Sequence, residues 1–166
     1  MKRIGLLLFV AIFTFNLSAT NTFEKSYGGS GADEGFSARQ TTDGGYVITG
    51  ISYSFGAGPA VYLIRTSSAG DTLWTKNYRN LGPGIGHDVI EDTDGGFVIC
   101  GGINNDVLLL KVDGQGIVKW ERTVGGVAED EGRSRVLDLD EANQSPIFIH
   151  AGRHVVNVLG VGDVDV

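Results

Sequence analysis

Hydrophobic and polar positions along this chain form short runs that return at a fixed distance. The tripeptide Asp-Gly-Gly at residues 43–45 precedes an apolar, β-branched run at residues 46–51, and the same tripeptide at residues 94–96 precedes a similar run at residues 97–100. The offset between the two turns is 94 − 43 = 51 residues. Such a turn is typical of a β-hairpin, because glycine accepts the positive φ that a tight turn needs. The recurrence indicates that one supersecondary unit is repeated.

The first unit is predicted to consist of short strands joined by glycine-rich turns. Residues 23–27 and 73–78 alternate apolar and polar side chains, which fits half-exposed strands. Residues 61–64 are apolar throughout, which is typical of a strand that is buried on both faces. In chain order, the predicted strands lie at residues 23–27, 36–41, 46–51, 61–64 and 73–78.

The second unit repeats this order, and the third begins well and then departs from it. The predicted strands of the second unit lie at residues 87–91, 97–100, 107–110 and 118–122. The third unit restates the glycine-rich loop of residues 28–35 at residues 125–132, but an insert at residues 141–146 replaces its turn glycines. Its later strands are predicted at residues 147–152 and 155–159.

These units predict an all-β fold of β-propeller-like blades, with about three four-stranded antiparallel repeats of roughly fifty residues in an incomplete propeller. Each blade is expected to cover the inner strands of its neighbours and to leave its outer strand half exposed. We assign the repeat domain to residues 20–166, with repeats at about 23–73, 74–119 and 120–166. A β-solenoid or a two-layer sandwich is the alternative architecture, although a stacked pair of sheets would need no fixed repeat.

The N-terminal residues have the organisation of a secretory signal peptide. Lys2 and Arg3 precede an apolar run of 12 residues at positions 4–15, which is too short to span a bilayer, and Ser18 and Ala19 are small residues suited to cleavage. We therefore predict a signal peptide at residues 1–19 and a secreted, periplasmic or cell-surface location. An N-terminal membrane anchor is the alternative.

Composition narrows the range of partners. The 166-residue chain has a formal net charge of −7, and an acidic surface argues against nucleic acid or an anionic membrane, since phosphate contacts need clustered lysine and arginine. The single cysteine, Cys100, excludes an intrachain disulfide and is predicted to be a small buried core residue. We expect no nucleic-acid partner and no stable membrane insertion.

Four strings of this sequence carry a resemblance to a known family. They are D-E-G at residues 33–35, D-G-G-Y-V-I-T-G at residues 43–50, V-Y-L-I-R-T at residues 61–66 and G-D-T-L-W-T-K-N-Y at residues 70–78. The pattern resembles the β-propeller repeats of bacterial secreted and surface proteins. It is similar to the seven-bladed type that carries D-V-x-x-x-K-x-D-x-x-G-x-x-x-W, which is best kept here from Asp106 to Trp120. The resemblance covers residues 23–132 and implies a fold and an exported location, but little chemistry.

Ring closure is the main departure from that family. Propellers close with roughly four to eight blades, and this sequence supplies about three. Three solutions are open: the chain is a piece of a longer protein, which we favour; two chains complete one ring; or residues 23–27 pair with the last strand of the third unit and close a ring of three. Without closure the end blades expose apolar faces, which would favour self-association through them.

Tryptophan spacing suggests one candidate chemistry. Gly70 and Trp74, like Gly116 and Trp120, have a spacing that is similar to the one by which quinoprotein dehydrogenase propellers dock tryptophans between blades. The rest of that motif is missing from this sequence. Both tryptophans are therefore predicted to dock against neighbouring strands rather than against a cofactor.

Acidic loops and histidines suggest a second chemistry, a metal site. Carboxylates at residues 33–34 and 129–131 lie in equivalent loops, but the second unit has none there, and Ca²⁺ needs six to eight converging oxygens. His87, His150 and His154 have no metal-ligand spacing. We therefore predict no catalytic, cofactor-binding or metal-binding residue, and no cofactor.

The sequence favours a non-catalytic exported β-propeller repeat module that acts as an interaction or surface scaffold, within a longer protein. The glycine-rich loops and the loop at residues 54–59 are expected on the rims, where they can bind a protein or glycan ligand. The alternative is a propeller enzyme, either quinoprotein dehydrogenase-like or carbohydrate-active, and the missing signatures count against it.

Overall fold

Short antiparallel strands make up the described part of the chain. The computed structural model describes residues 22–104 and 106–125, and the backbone of three further strands at residues 135–137, 147–151 and 154–158. One short 3₁₀ turn, Arg79–Leu81, lies within this part. The strands are β1 Asp33–Gln40, β2 Tyr46–Ser52, β3 Ala60–Thr66, β4 Thr72–Asn77, β5 Gly84–Glu91, β6 Phe97–Ile103, β7 Asp106–Val112, β8 Val118–Val124, β9 Arg135–Leu137, β10 Ile147–Ala151 and β11 His154–Val158.

The strands pair in antiparallel fashion into successive sheets. The first sheet has the order β1-β2-β3-β4, the second β5-β6-β7-β8, and the third β11-β10-β9. The chain is therefore an all-β protein with two four-stranded antiparallel sheets, as its repeat predicted. From residue 36 onwards, the predicted strands begin and end within three residues of the observed bounds.

The repeat extends to the irregularities of the sheets. Register shifts leave Phe36 of β1 and His87 of β5 without an opposite residue, and these two bulges are 87 − 36 = 51 residues apart. A further shift recurs between β3 and β4 and between β7 and β8. Because a bulge redirects its side chain, Phe36 and His87 leave the alternation of their strands in the same way.

The two four-stranded sheets stack face to face, with β5 of the second lying across β1, β2 and β3 of the first. The A face is the one that carries Val47 in the first sheet and Cys100 in the second; the B face is opposite and carries Ile48 and Ile99. The main core forms where the A face of the first sheet meets the B face of the second. Its buried residues are Val47, Val61, Leu63, Tyr78, Val89, Phe97, Ile99, Ile103, Leu108, Leu110 and Val112.

The A face of the second sheet is covered as well. Its cluster of Cys100, Val107 and Leu109 is buried, and β9 of the third sheet lies against β5 and β6. The third sheet therefore lies on the far side of the second sheet from the first. Cys100 has no exposed surface, which confirms its prediction as a small core residue.

Burial differs between the first strands of the two complete sheets. The outer strands β4 and β8 contain only exposed and half-buried residues, which agrees with the prediction of half-exposed outer strands. Half of the β5 residues are buried and none is exposed, whereas β1 is mostly exposed. Strand β3, which the sequence predicted to be buried on both faces, is buried throughout. Strand β1 is exposed because, in the described part of the chain, no sheet lies on the B face of the first sheet.

Residues 23–27 differ from their prediction as a strand. In the described residues the first strand begins at Asp33, and residues 23–27 lie instead on the B face of the first sheet, where no neighbouring strand accepts their hydrogen bonds. The sheets that the structure describes do not close into a ring, so closure stays a prediction. The predictions for residues 1–19, 126–132 and 141–146 fall outside the described residues.

The Asp-Gly-Gly turns require glycine at their middle residue. Gly44 has φ +83° and Gly95 has φ +73°, and the N–H of Gly95 donates to the Asp92 carbonyl at 2.9 Å. A Cβ added at Gly95 would meet no atom within 4 Å. Substitution at Gly95 is therefore opposed by the backbone conformation alone.

Replacing Gly95 by alanine is expected to lower the free energy of unfolding by about 1–2 kcal/mol, the cost of a left-handed conformation for an L residue. Urea denaturation followed by circular dichroism measures this loss. Gly35→Ala is the matched control, since Gly35 has no positive φ and its added Cβ would lie 3.6 Å from Ile48, an ordinary contact. A loss at Gly95 no larger than that at Gly35 would contradict the turn conformation.

Candidate functional site

The contact between the first two sheets joins residues at equivalent positions of the repeat. The rings of Phe36 and His87 lie 5.8 Å apart between centroids, at an interplanar angle of 63°. Beside them, Ser37 Oγ donates a hydrogen bond to Asp88 Oδ1 at 2.6 Å. Both pairs are 51 residues apart (87 − 36 and 88 − 37), so these β1 residues contact their own counterparts in β5.

Asp88 is the centre of a polar ladder between β1 and β5. It is 6% exposed, and its carboxylate also accepts from the backbone N–H of the next residue at 2.9 Å and from Arg39 Nη2 at 3.4 Å. Glu91 accepts from the backbone N–H of Thr42 at 2.7 Å and from its hydroxyl at 3.2 Å. We call these contacts, with the Ser37 bond, the β1–β5 ladder. Its carboxylates are engaged by the neighbouring sheet, so the ladder holds the two sheets in register.

Trp74 and Tyr78 of the first sheet dock onto the second. The Trp74 indole N–H donates to the Gly114 carbonyl at 3.2 Å, and its ring lies edge-on to Phe97 with centroids 6.1 Å apart. The Tyr78 hydroxyl donates to the Gly116 carbonyl at 3.0 Å, and burial raises the pKa of that phenol well above its ordinary value. Trp74 therefore packs between the sheets, as the sequence predicted.

Residues 23–27 repeat this docking on the first sheet. The Phe23 ring lies edge-on to Tyr46 with centroids 5.6 Å apart, and the Tyr27 hydroxyl donates to the Gly70 carbonyl at 2.7 Å. Both contacts reproduce, 51 residues earlier (74 − 23 and 78 − 27), the docking of the β4 segment on the second sheet. Residues 23–27 therefore occupy on the first sheet the place that β4 occupies on the second.

The B face of the first sheet is the surface on which the described residues place no neighbouring sheet. We call it the end face, and it is formed by Tyr46, Ile48, Tyr62 and Ile64. Tyr62 and Ile64 are nevertheless buried, because Tyr27 borders them and the Phe55 ring lies 5.3 Å from that of Tyr62. A short segment and one loop side chain thus take the place of a sheet.

Exposed aromatic side chains border the end face. Phe23 and Phe55 contact it through Tyr46 and Tyr62, and they are 37% and 44% exposed. Aromatic residues are enriched on surfaces that contact another macromolecule. Their position makes the end face the candidate interaction surface.

A small cavity opens at the end face. Its volume is about 40 Å³, and it is lined by Tyr27, Asp33, Glu34, Ile48, Tyr62 and Ile64. A cavity needs about 10–15 Å³ of such volume to hold one water molecule, whereas small-molecule sites measure roughly 300–1,000 Å³. This cavity can therefore hold a few water molecules and is far too small for a substrate.

Asp33, from the acidic loop that the sequence singled out, joins two loops beside the end face. Its Oδ2 accepts from the Gly29 N–H at 2.8 Å and from Ser54 Oγ at 2.5 Å. Hydrogen bonds from the hydroxyls of Ser52 and Ser54 hold the pKa of Asp33 below its ordinary value. Asp33 is therefore a loop anchor.

In the part of the chain that the structure describes, no group of three or more His, Cys, Asp or Glu side chains could hold a metal ion.

The other residues that the sequence analysis considered lie apart from one another. Trp120 packs beside the A-face cluster of the second sheet, and His87 lies against Phe36. The side chains of His150 and His154, like the acidic residues 129–131, fall outside the described residues. Of the described candidates, Asp33 and the adjacent Glu34 both line the small cavity, whereas Trp74 and Trp120 pack against different clusters.

Two buried cations that the sequence analysis missed hold the Asp-Gly-Gly turns. Arg65 on β3 is buried, and its Nη2 lies 2.5 Å from Asp43 Oδ2. Lys111 on β7 is buried too, and its Nζ contacts Asp92 and, at 2.7 Å, Asp94. We call these ion pairs the turn clamps. Each clamp ties the turn between the first two strands of a sheet to the third strand.

The third strand of the third sheet has no lysine or arginine. Strand β3 carries Arg65 and β7 carries Lys111, whereas β11, His154–Val158, carries neither residue type. The third repeat also has no Asp-Gly-Gly turn, so turn and cation are lost together. One basic residue inside an apolar strand, recurring at Arg65 and Lys111, was the signal that could have revealed the clamps.

The first clamp is expected to make stability depend on pH. The Thr41 hydroxyl, the Gly45 N–H and the Arg65 guanidinium lower the pKa of Asp43 from 3.8 to about 2. A lowered pKa means that the ionised carboxylate stabilises the fold above pH 3.8 and that this contribution is lost as the pH falls toward 2. Asp43→Asn should therefore have a lower urea midpoint than the parent chain near neutral pH, and the two midpoints should converge near pH 2.

Asp71→Asn is the control for this pH profile, because it removes an exposed carboxylate that pairs with Lys25 at the surface. Near neutral pH its urea midpoint should lie closer to that of the parent chain than the midpoint of Asp43→Asn does, because an exposed ion pair contributes little to stability. An Asp43→Asn difference that is the same at acidic and neutral pH would show that the clamp is not the origin of the dependence.

The β1–β5 ladder is expected to give a measurable coupling between the two sheets. In a double-mutant cycle, Ser37→Ala and Asp88→Ala should show an interaction energy of about 1–2 kcal/mol, since a buried carboxylate loses a hydroxyl donor. Free energies of unfolding from urea denaturation give the cycle. Ser37→Ala combined with Asp71→Ala, which lies outside the ladder, should be additive, and additivity in the Ser37–Asp88 cycle as well would argue against the ladder.

Comparisons with known proteins add no relative to this picture. Neither a scan against protein-family models nor a search of curated proteins found a match to the chain. In the described residues, no helix is long and apolar enough to cross a membrane. The stacked sheets and the end face are therefore the features from which a function is inferred.

Proposed function

We propose that this chain is a non-catalytic, exported β-propeller repeat module that acts as an interaction or surface scaffold. The observation that carries the proposal is the head-to-tail contact of the first two sheets through residues 51 positions apart. A contact that uses opposite faces of successive similar units can be repeated from one unit to the next. Propellers and other repeat arrays are built on contacts of this kind.

The strand arrangement supports an array of the propeller type. Strand β5 lies against β1, β2 and β3, and the β1–β5 ladder joins the first strands of the two sheets directly. In a propeller the first strand of each blade is the one nearest to the central axis. The exposure of β4 and β8 agrees with outer strands at the rim.

The buried charged groups support a structural rather than a catalytic role. Asp88 is held within the β1–β5 ladder, while Arg65 and Lys111 are held within the turn clamps. A catalytic acid or base needs a substrate within hydrogen-bond reach, and these groups are engaged by the neighbouring strand or turn. Their geometry explains the fold and leaves the surface to carry the function.

The end face supports an interaction role. A head-to-tail array has two unlike ends, and at the N-terminal end the B face meets only residues 23–27 and Phe55 in the described chain. Exposed aromatic side chains border this face, and its cavity is too small for a substrate. A macromolecular partner is the occupant that suits such a surface.

A cofactor titration tests the scaffold against the alternative of a quinoprotein dehydrogenase-like enzyme. The purified chain is titrated with pyrroloquinoline quinone in the presence of Ca²⁺ and followed by absorbance. We expect no saturable spectral change, because Trp74 already packs on Phe97 and donates to Gly114. The variant Trp74→Phe serves as control for unspecific absorbance changes. Uptake of one quinone per chain that is lost in this variant would overturn the proposal.

A further inference from the structure

Residues 23–27 have the contacts of an outer strand but no sheet of their own in the described chain. Strand β4 is the outer strand of the first sheet. Its Trp74, and Tyr78 just after the strand, dock onto the second sheet. Residues 23–27 dock in the same way on the first sheet, through Phe23 and Tyr27. They therefore occupy the position of the fourth strand of a sheet that would cover the end face.

The backbone of residues 23–27 has a defined direction in this arrangement. The Tyr78 N–H donates to the Val61 carbonyl of β3 at 2.9 Å, and alternate residues of a strand point their N–H groups to the same side. By the 51-residue equivalence, the N–H groups of Lys25 and Tyr27 point to the missing third strand. The N–H of Ser26 points away from it.

We propose that the third sheet of a second copy of this chain supplies the missing strands, with residues 23–27 of one copy pairing with β11 of the other. This inference rests on the proposed repeat module and names its partner. In the described residues the third sheet has three strands with β11 at its edge. Strand β11 has the place in its sheet that β3 and β7 have in theirs, since Val158 lies opposite Ile147 as Val112 lies opposite Phe97.

The repeat fixes the register of the proposed pair. In the first sheet Lys76 lies opposite Leu63, and Thr75 lies opposite Ile64. Subtracting 51 from the β4 residues and aligning β11 with β3 places Lys25 opposite Val155 and Glu24 opposite Val156. The pairing is antiparallel, as it is everywhere else in the described sheets.

The partner is a second copy because the chain's own third sheet lies in the wrong place. The first and third sheets lie against opposite faces of the second, and stacked sheets are about 10 Å apart, whereas paired strands are about 4.8 Å apart. Two copies with three described sheets each would provide six sheets, within the roughly four to eight that close a propeller. Each copy then gives one strand and receives one, which is a closed arrangement.

Covering the end face with a third sheet would repeat the contact that the structure shows between the first two sheets. The A face of the first sheet buries Phe97, Ile99, Leu108 and Leu110 of the second sheet. Tyr46, Ile48, Tyr62 and Ile64 hold the corresponding places on the end face. The third sheet of the second copy would cover them as the first sheet covers their counterparts.

Disulfide trapping tests the register. Glu24 and Val156 form a non-hydrogen-bonded pair in the proposed ladder, with Cα atoms about 4.5 Å apart, which is within the range for a disulfide. The single variants Glu24→Cys and Val156→Cys are mixed and oxidised. We expect a covalent dimer that appears only in the mixture and is lost on reduction; Cys100 has no exposed surface to compete.

Two results of this trapping would overturn the proposal. One is the absence of a covalent dimer from the mixture when circular dichroism shows that both variants are folded. The other is a disulfide within a single chain in the double variant, which would assign residues 23–27 to their own third sheet. Either result leaves the interaction module itself standing, because that is judged by the quinone titration.

Proline substitution tests the hydrogen bonds of the pair. Lys25→Pro removes an N–H group that points to β11. Ser26→Pro removes an N–H group that points away from β11, to the open edge of the sheet, where proline is tolerated. Sedimentation equilibrium is expected to show at least a tenfold weaker dimer for Lys25→Pro and an unchanged dimer for Ser26→Pro. Lys25→Ala controls for the loss of the Lys25–Asp71 ion pair. Equal behaviour of the two proline variants, or a folded parent chain of single-copy mass, would contradict the proposal.

Discussion

The contact between the A face of one sheet and the B face of the next is the constraint on which the rest of this structure depends. Each of the two four-stranded sheets has two apolar faces that a single sheet cannot hide, so burial is achieved only by stacking. The faces are unlike, and the first sheet therefore meets the second in one orientation, fixed by the β1–β5 ladder and by Trp74. Non-directional apolar burial supplies the energy, and a few directional bonds supply the register.

Because the sheets contact one another head to tail, strands with equivalent sequences differ in how much of their surface is buried. Strands β1 and β5 occupy the same place in their repeats, but β5 has no exposed residue and β1 is mostly exposed. The difference comes from what lies on the B face, a sheet in one case and a short segment in the other. The apolar pattern of a sequence shows which face of a strand can be buried. Whether that face is buried depends on the neighbouring unit.

Sequence patterns predicted the strands well and the contacts between them poorly. The turn glycines were predictable because Gly44 and Gly95 must adopt positive φ whatever surrounds them. The partner of Arg65 was not, because Asp43 lies 22 residues away and is brought close only by the register of β2 and β3. The docking of Phe23 on Tyr46 was hidden for the same reason, since alternation in residues 23–27 indicates a strand without indicating what it lies against.

A cation and the carboxylates of its turn act as one unit in this fold. A buried ammonium group is costly unless carboxylates compensate it, and in the second sheet Asp92 and Asp94 compensate Lys111. Asp43 and Arg65 have the same relation in the first sheet. In the third repeat the sequence has no Asp-Gly-Gly tripeptide, and β11, His154–Val158, contains no lysine or arginine. The burial of a basic residue inside an apolar strand is therefore tied to the turn that faces it, which is why a lone lysine or arginine within such a strand marks a clamp.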